Sequence, residues 1–444
     1  MEYALRQSFK QQIITLSSAT GLAQAITFLF SPVLTHLYTP EDFGVFSIFT
    51  TSAAFLALLW TMRYELAIPL QRKRIHSLTL IVSTLGLASV LSLLLLLLLI
   101  FLPLNQLSTQ LGIDPSLLFL LPLSAFLYSI SQLFERLASK DHNIKLIAKG
   151  KLVRSATTAI LSILLAWLGS FGLIAGALCG IFLSCTILVS GELKHIFSIA
   201  KVTTKRRAFA LFKRYKQFPQ YDLPSSLMYF FSSQGFILLL IIYFDPKIAG
   251  YYALAERLIA SPISIFTNSY ATVFYVRLTE KYNKIKTSIN EDIKRNTILF
   301  LSYSIIPFLL SLYLLEYFLG YIFGPSWDEL YLYILALSPA LFVTIVAAPS
   351  STVLRVIGRQ DVSFKLHLTH LMVKVCVLTI AAFFLQASPL LCLTWVSLAS
   401  FLVISTNIFI IFKMIGISSY KVLFLMLFFI VAVIVMQYSH GIII

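Results

Sequence analysis

The chain has 444 residues, 59% of them hydrophobic and only 12% charged, with a formal net charge of +16. Soluble domains carry about 25% charged residues, so this composition excludes an ordinary water-soluble globular protein. The cations are spread between apolar stretches rather than gathered on one patch, which argues for membrane lipid head groups and against nucleic acid as their partner.

A helix needs about 20 apolar residues to cross hydrocarbon. In chain order the candidate spans are 11–37, 43–64, 77–103, 115–135, 150–168, 171–192, 222–244, 248–276, 296–318, 330–354, 365–386, 389–412 and 422–439. Arg6 and Lys10 precede the first of them. That stretch is long and lacks a small-residue cleavage site, so it reads as a retained helix rather than a signal peptide. Of the 34 lysines and arginines, all but Lys247, Arg257 and Lys374 fall at the N-terminus or in every second connection. The alternate connections hold Glu41, Asp42, Asp114, Asp245, Glu316, Asp328 and Glu329 instead. Cytoplasmic loops concentrate lysine and arginine, so the pattern predicts a multi-pass protein with a cytoplasmic N-terminus. Cytoplasmic connections are then expected at 63–74, 135–154, 194–216, 277–295, 355–365 and 413–421.

The longest of these connections, with its flank, covers 194–221 and carries Lys194, Lys201, Lys205, Arg206, Arg207, Lys213, Arg214 and Lys216. It divides the first six spans from the rest. An internal echo supports that division. "YTPEDFGVFS" from Tyr38 resembles "FDPKIAGYYA" from Phe244, aligning Pro40 with Pro246, Gly44 with Gly250 and Phe46 with Tyr252. Farther on, Arg136, Lys140, Asp141, Lys145, Leu146 and Arg154 parallel Arg355, Arg359, Asp361, Lys365, Leu366 and Lys374, allowing one inserted residue. Both halves start on the same side, so the repeat is parallel. Such repeats are typical of transporters that rock about a site between their halves.

The expected fold is all-α. It is a polytopic transmembrane helix bundle of two pseudo-symmetric six-helix bundles, 1–193 and 222–412, joined by the basic linker 194–221. Residues 413–444 form an additional membrane segment with a candidate thirteenth helix. Neither a phosphate-binding glycine loop, a GxSxG elbow nor a His/Glu metal cluster is present, so neither an enzyme nor a cofactor is expected. Cys179, Cys185, Cys376 and Cys392 lie in apolar stretches without zinc spacing and read as small buried hydrophobes. His440 reads as solvated surface. Pro32, Pro122, Pro262, Pro307, Pro339 and Pro349 fall in or near span interiors, where proline kinks a helix.

Charges inside apolar stretches are the candidate functional residues, because a charge at mid-bilayer costs about 2.5–3.5 kcal/mol on insertion scales. Arg63 and Glu65 stand in "TMRYELAIPL", at the inner end of the second span; interface anchor and cavity residue are both open readings. Glu256 and Arg257 stand in "YYALAERLIASPISIF", with apolar neighbours on both sides. Adjacent helical positions point about 100° apart, so each needs its own partner or water. Cavity lining and a structural interhelical salt bridge are the two readings there. Lys374 lies in "HLMVKVCVLTI", with Arg154 as its counterpart in the first half; either side chain could instead snorkel to an interface. Asp222, at the start of the seventh span, reads as an N-terminal cap.

With these segments in view, the chain resembles the Wzx-type oligosaccharide flippases. These belong to the polysaccharide biosynthesis family of the multidrug/oligosaccharidyl-lipid/polysaccharide exporter superfamily. The resemblance rests on "LYTPEDFGVFSIF", "MRYELAIPL", "YFDPKIAGYYALAERLIASPISI", "FPQYDLPSSLM" and "VLRVIGRQD". It covers nearly the whole chain and does not identify the glycan. It implies transport of undecaprenyl-diphosphate-linked oligosaccharide units, such as O-antigen units, from the cytoplasmic to the periplasmic leaflet of the bacterial inner membrane. It implies a cavity alternately open to each side, with Arg63, Arg257 and Lys374 at the positions where the family motif is basic. Arg154 joins them as a cavity candidate, and Glu65 and Glu256 are ion-coupling candidates. A polysaccharide polymerase and a chain-length regulator are the neighbours the family suggests. A same-fold drug or metabolite exporter is the closest alternative. A surface-glycan polymerase or ligase is disfavoured, because every extracytoplasmic connection is too short to hold a catalytic loop. The thirteenth span departs from the family pattern of twelve or fourteen and leaves the side of the C-terminus open.

Overall fold

In hydrocarbon a backbone must satisfy its own N–H and C=O groups, and long apolar runs do so as helices. The computed structural model describes residues 2–71, 73–101, 114–141, 143–260, 289–356, 359–414, 416 and 420–442, and no strand occurs among them. Eight of the described helices are long and apolar enough to cross a membrane, and a bent pair makes a ninth. The protein is an all-α, multi-pass membrane protein. The chain divides into two compact units, Met1–Gly250 and Tyr251–Ile444.

In the first unit, α1 (Glu2–Leu37), α2 (Pro40–Thr61), α3 (Arg74–Phe101), α4 (Leu121–Lys140), α5 (Ile144–Leu164) and α6 (Ser170–Ser190) follow in order. Short helices α7 (Leu193–Val202) and α8 (Lys205–Arg214) form the basic linker, and α9 (Leu223–Ser233) and α10 (Phe236–Tyr243) come after it. The next helix, α11, is described over 246–260. The repeated motif proves to be a helix start. Thr39 and Asp42 form a capping box across Pro40, and Asp245 Oδ1 accepts from the Ile248 N–H at 3.1 Å across Pro246. The two motifs also meet. A Cβ on Gly44 would stand 1.8 Å from the Pro246 carbonyl oxygen, and a Cβ on Gly250 1.8 Å from that of Pro40. The aligned glycines are therefore required by a reciprocal backbone contact. Gly176 and Gly180 on α6 likewise let α5 approach closely, with Ser162, Thr158 and the Arg154 carbonyl at the places a Cβ would take.

The second unit continues with α12 (Ile289–Phe323), α13 (Leu330–Val356), α14 (Gln360–Thr379), α15 (Pro389–Met414) and α16 (Tyr420–Ser439). Its core centres on Phe308, Phe342 and Phe429, with the last two rings stacked at 3.7 Å. Candidate span 422–439 is thus a helix packed into the unit. Buried Gln437 donates to the Leu335 carbonyl at 2.9 Å, and His440 Nε2 lies 3.5 Å from Glu316 Oε1 and packs edge-on to Tyr331. The end of α16 therefore meets the α12–α13 connection, at the opposite end of the helix from Lys421. The surface reading of His440 is corrected by this contact, which joins segments far apart in sequence.

Two expectations about elements change. The span predicted over 222–244 is broken into α9 and α10, which meet at 59°. The break falls at Gln234–Gly235, where the Gly235 N–H reaches back to the Phe230 carbonyl and a Cβ would strike the Phe230 and Phe231 rings. Pro122 does not kink a helix interior but stands in the first turn of α4, where its missing N–H has no intrahelical partner to lose. The later part of the span predicted over 248–276, Pro262 and the cations between 277 and 288 lie outside the described residues.

Candidate functional site

In the first unit the second span ends before Arg63. Thr61 closes α2, Met62 and Arg63 both adopt left-handed backbone (φ 46° and 63°), and a 3-10 turn follows over Tyr64–Ala67. For non-glycine residues such conformations cost of the order of 1–3 kcal/mol each and persist only where surroundings enforce them. Here Tyr64, Ala67 and Ile68 are buried with Leu78, Ile81, Phe134 and Leu137, and Ile196, Ile199 and Leu211 of α7 and α8 pack against the same cluster. The amphipathic linker helices thus hold the turn that carries Arg63.

The turn aims the guanidinium at two carboxylates. Arg63 Nη1 donates to Glu65 Oε1 at 3.0 Å, and Nε donates to Asp222 Oδ2 at 2.8 Å. Glu65 is 2% exposed and Arg63 24%. The second carboxylate oxygen of Glu65, Oε2, is buried without a hydrogen-bond partner among the described residues. Asp222 makes no cap at the start of α9. It closes a π-helical turn, Phe218–Asp222, and its side chain goes to Arg63 and to Ser226. The capping expectation fails because a guanidinium reaches the carboxylate from a distant part of the chain. Asp222 also lines an open cleft of about 380 Å³ with Gln217, Phe218, Tyr221 and Ser225. On neighbouring elements Arg74 pairs with Asp141 at 3.1 Å and with Glu192, and Lys140 donates to Ser77 Oγ at 2.5 Å.

Arg154 is held elsewhere in the first unit. Its Nη2 donates to the Tyr128 hydroxyl at 2.7 Å, and its guanidinium stands 4.7 Å from the centre of that ring. The Tyr128 partner was not legible in the sequence, because Tyr128 and Arg154 stand on different helices, α4 and α5.

In the second unit, α11 carries Glu256 and Arg257, both partly exposed. Lys374 on α14 is 9% exposed. Glu256 and Lys374 lie in each other's electrostatic field, as do Lys374 and His370 one turn earlier on α14. This unit therefore gathers a carboxylate, an ammonium and an imidazole among apolar helices. Glu256 and Lys374 stand more than a hundred residues apart, so no local pattern reveals the grouping.

The family profile described as polysaccharide biosynthesis protein matches residues 33–332, well over half the chain. The chain belongs to that family. No curated protein matches the sequence. Among solved structures, this polysaccharide biosynthesis family member is similar to the lipid II flippase MurJ in an inward closed conformation. The identity is 15% and the TM-score 0.69, over 96% of this chain and 93% of that one. It is also similar to an inward-facing multidrug resistance MATE transporter of the MOP superfamily, at 12% identity and TM-score 0.59 over 90% and 94% of the two chains. A MOP superfamily transporter from Pyrococcus furiosus matches at 14% identity and TM-score 0.53, over 92% and 96%. These likenesses show that the family member has the MOP transporter fold. The family match includes Arg63, Glu65, Arg154, Glu256 and Arg257 and ends before Lys374.

Proposed function

We propose that the protein is a flippase. It moves undecaprenyl-diphosphate-linked oligosaccharide repeat units, of the O-antigen type or a similar surface polysaccharide, from the cytoplasmic to the periplasmic leaflet by alternating access. The observation that carries this reading is Arg63, a partly exposed guanidinium held between two carboxylates beside an open cleft, in a chain of the polysaccharide biosynthesis family. A diphosphate-linked glycan is large, polar and anionic, so it crosses hydrocarbon only through a wet, positively biased path. Arginine suits a phosphate because its planar fork donates two parallel hydrogen bonds.

In this reading Arg63, Arg257, Lys374 and Arg154 engage the anionic head group in turn, and Glu65 and Glu256 couple transport to an ion gradient. The first bundle is 1–193, the linker 194–221, the second bundle 222–412 and the tail 413–444. The protein sits in the bacterial inner membrane with its N-terminus in the cytoplasm. It works beside a polymerase and a chain-length regulator, and transports without itself catalysing a reaction.

The test is genetic and chemical. With the gene removed, diphosphate-linked repeat units accumulate on the cytoplasmic leaflet and surface polysaccharide is lost. The wild-type gene restores export, and Arg257→Ala does not despite normal protein level in the membrane. Periplasmic accumulation overturns the reading in favour of a polymerase or ligase. Unchanged glycan with altered drug sensitivity overturns it in favour of an exporter.

A further inference from the structure

The Arg63 site contains a feature that phosphate binding alone does not require: a second carboxylate, half-exposed, on the same guanidinium. Arginine presents two edges able to grip a pair of oxygens, one from Nε and Nη2 and one from Nη1 and Nη2. Asp222 occupies Nε and so closes the edge formed by Nε and Nη2, while Glu65 takes one of the two hydrogens of Nη1. Nη2 has no protein partner among the described residues. Any ligand that takes two parallel bonds from the Nε–Nη2 edge must displace Asp222.

The two are not equally displaceable. Glu65 is 2% exposed, in a turn fixed by the core at that end of the unit. Asp222 is 40% exposed, lines the cleft, and has Ser226 Oγ 3.4 Å from the oxygen that holds Arg63. On leaving Arg63 it faces water and keeps a hydroxyl partner, so its release leaves no stranded buried charge.

We infer that Asp222 is a resident competitor for Arg63. It holds the Nε edge while the cleft at 217–225 is empty and yields that edge to a diphosphate group. The inference rests on the proposed role of Arg63 as a phosphate ligand and adds a residue that sets how tightly that site holds its ligand. Two carboxylates against one guanidinium give the empty site a formal net negative charge, which opposes any anion that does not replace the Asp222 bond. A diphosphate replaces that single bond with two, from Nε and Nη2, and is retained. Asp222 thus lowers the affinity of Arg63 for its ligand and returns the guanidinium to a closed pair after release.

The experiment measures binding to the purified full-length chain in nanodiscs. The probes are inorganic pyrophosphate, farnesyl diphosphate and dimethyl phosphate, a monoanion with two free oxygens. Asp222→Asn is expected to bind all three more tightly, by about tenfold or more, the effect of removing a charged hydrogen-bond competitor. The preference for pyrophosphate over dimethyl phosphate is expected to rise, because the lost carboxylate repels the more highly charged ligand more strongly. Arg63→Gln is expected to lose binding, and Asp222→Glu to behave as wild type. If Asp222→Asn is poorly folded, Asp222→Ser carries the same comparison. Unchanged or weaker diphosphate binding on loss of the Asp222 charge overturns the inference, as does an unaltered preference. Tighter binding of farnesyl diphosphate than of pyrophosphate assigns the ligand to a lipid head group; equal binding assigns it to a soluble diphosphate, with the competitor role intact. If repeat units do not accumulate on the cytoplasmic leaflet in the deletion strain while the binding order holds, the flippase reading fails alone. If they do and Asp222→Asn gains nothing, the competitor role fails alone.

Discussion

Gly44 and Gly250 illustrate what one residue contributes. Each lies one turn into a helix opened by a capped Thr-Pro or Asp-Pro start, and each gives up the volume of a Cβ to the backbone carbonyl of the other motif. Backbone cannot rotate away as a side-chain tip can, so a methyl at Gly44 forces the two helix starts apart. Overpacking costs typically about 1–3 kcal/mol, and a 1.8 Å approach to backbone belongs at the upper end or beyond. Gly44→Ala is expected to lower the thermal unfolding midpoint of the solubilised protein. Gly86→Ala, where no atom lies within 4 Å of the added Cβ, is expected to leave it unchanged. Equal midpoints for both would remove the glycine contact as a constraint. Arg63 is the opposite case at this scale: its left-handed backbone is unfavourable by itself and is maintained by burial of the next residues.

At the scale of elements, apolar length and charge pattern located the helices well, and their interruptions poorly. The break between α9 and α10 depends on two phenylalanine rings packed around Gly235, and one glycine in an apolar run is an ambiguous sign. The last helix gains most from the structure. The sequence left the side of the C-terminus open, and the contacts of His440 with Glu316 and Tyr331 put the end of α16 beside the α12–α13 connection. In a background without the four natural cysteines, Ser439→Cys and Glu329→Cys should react with a membrane-impermeant thiol reagent from one face of the membrane. Lys413→Cys should react from the other. Reaction of Ser439→Cys and Lys413→Cys from the same face would show that α16 does not cross.

Across the whole molecule, the proposed orientation puts every second connection, rich in lysine and arginine, in the cytoplasm. A periplasm-only reporter fused after Asp245 is expected to be active, and one fused near Arg206 inactive; the reverse result would sink the orientation. The family and the all-α, multi-pass fold were both legible from sequence, because apolar runs, cation bias and the paired Pro-to-Gly motifs are local or periodic signals. The candidate charges were legible too, since Arg63, Glu65, Glu256, Arg257 and Lys374 interrupt apolar sequence where a cost must be met by a partner or water.

The partners of those charges were decided by tertiary structure alone. Asp222 looks like a cap in sequence because a carboxylate before Leu-Pro fits a helix start, yet Arg63, 159 positions away, takes it. Tyr128 and Arg154 meet across two helices, through packing of faces that no short pattern specifies. The sequence by itself determined that this chain lies in a membrane, that its long apolar runs are helices and which residues carry unusual charge, because hydrophobic transfer acts on each segment independently. Which charges share a guanidinium, and where a cleft opens beside them, depends on the packing of many side chains at once, and only the folded chain decides it.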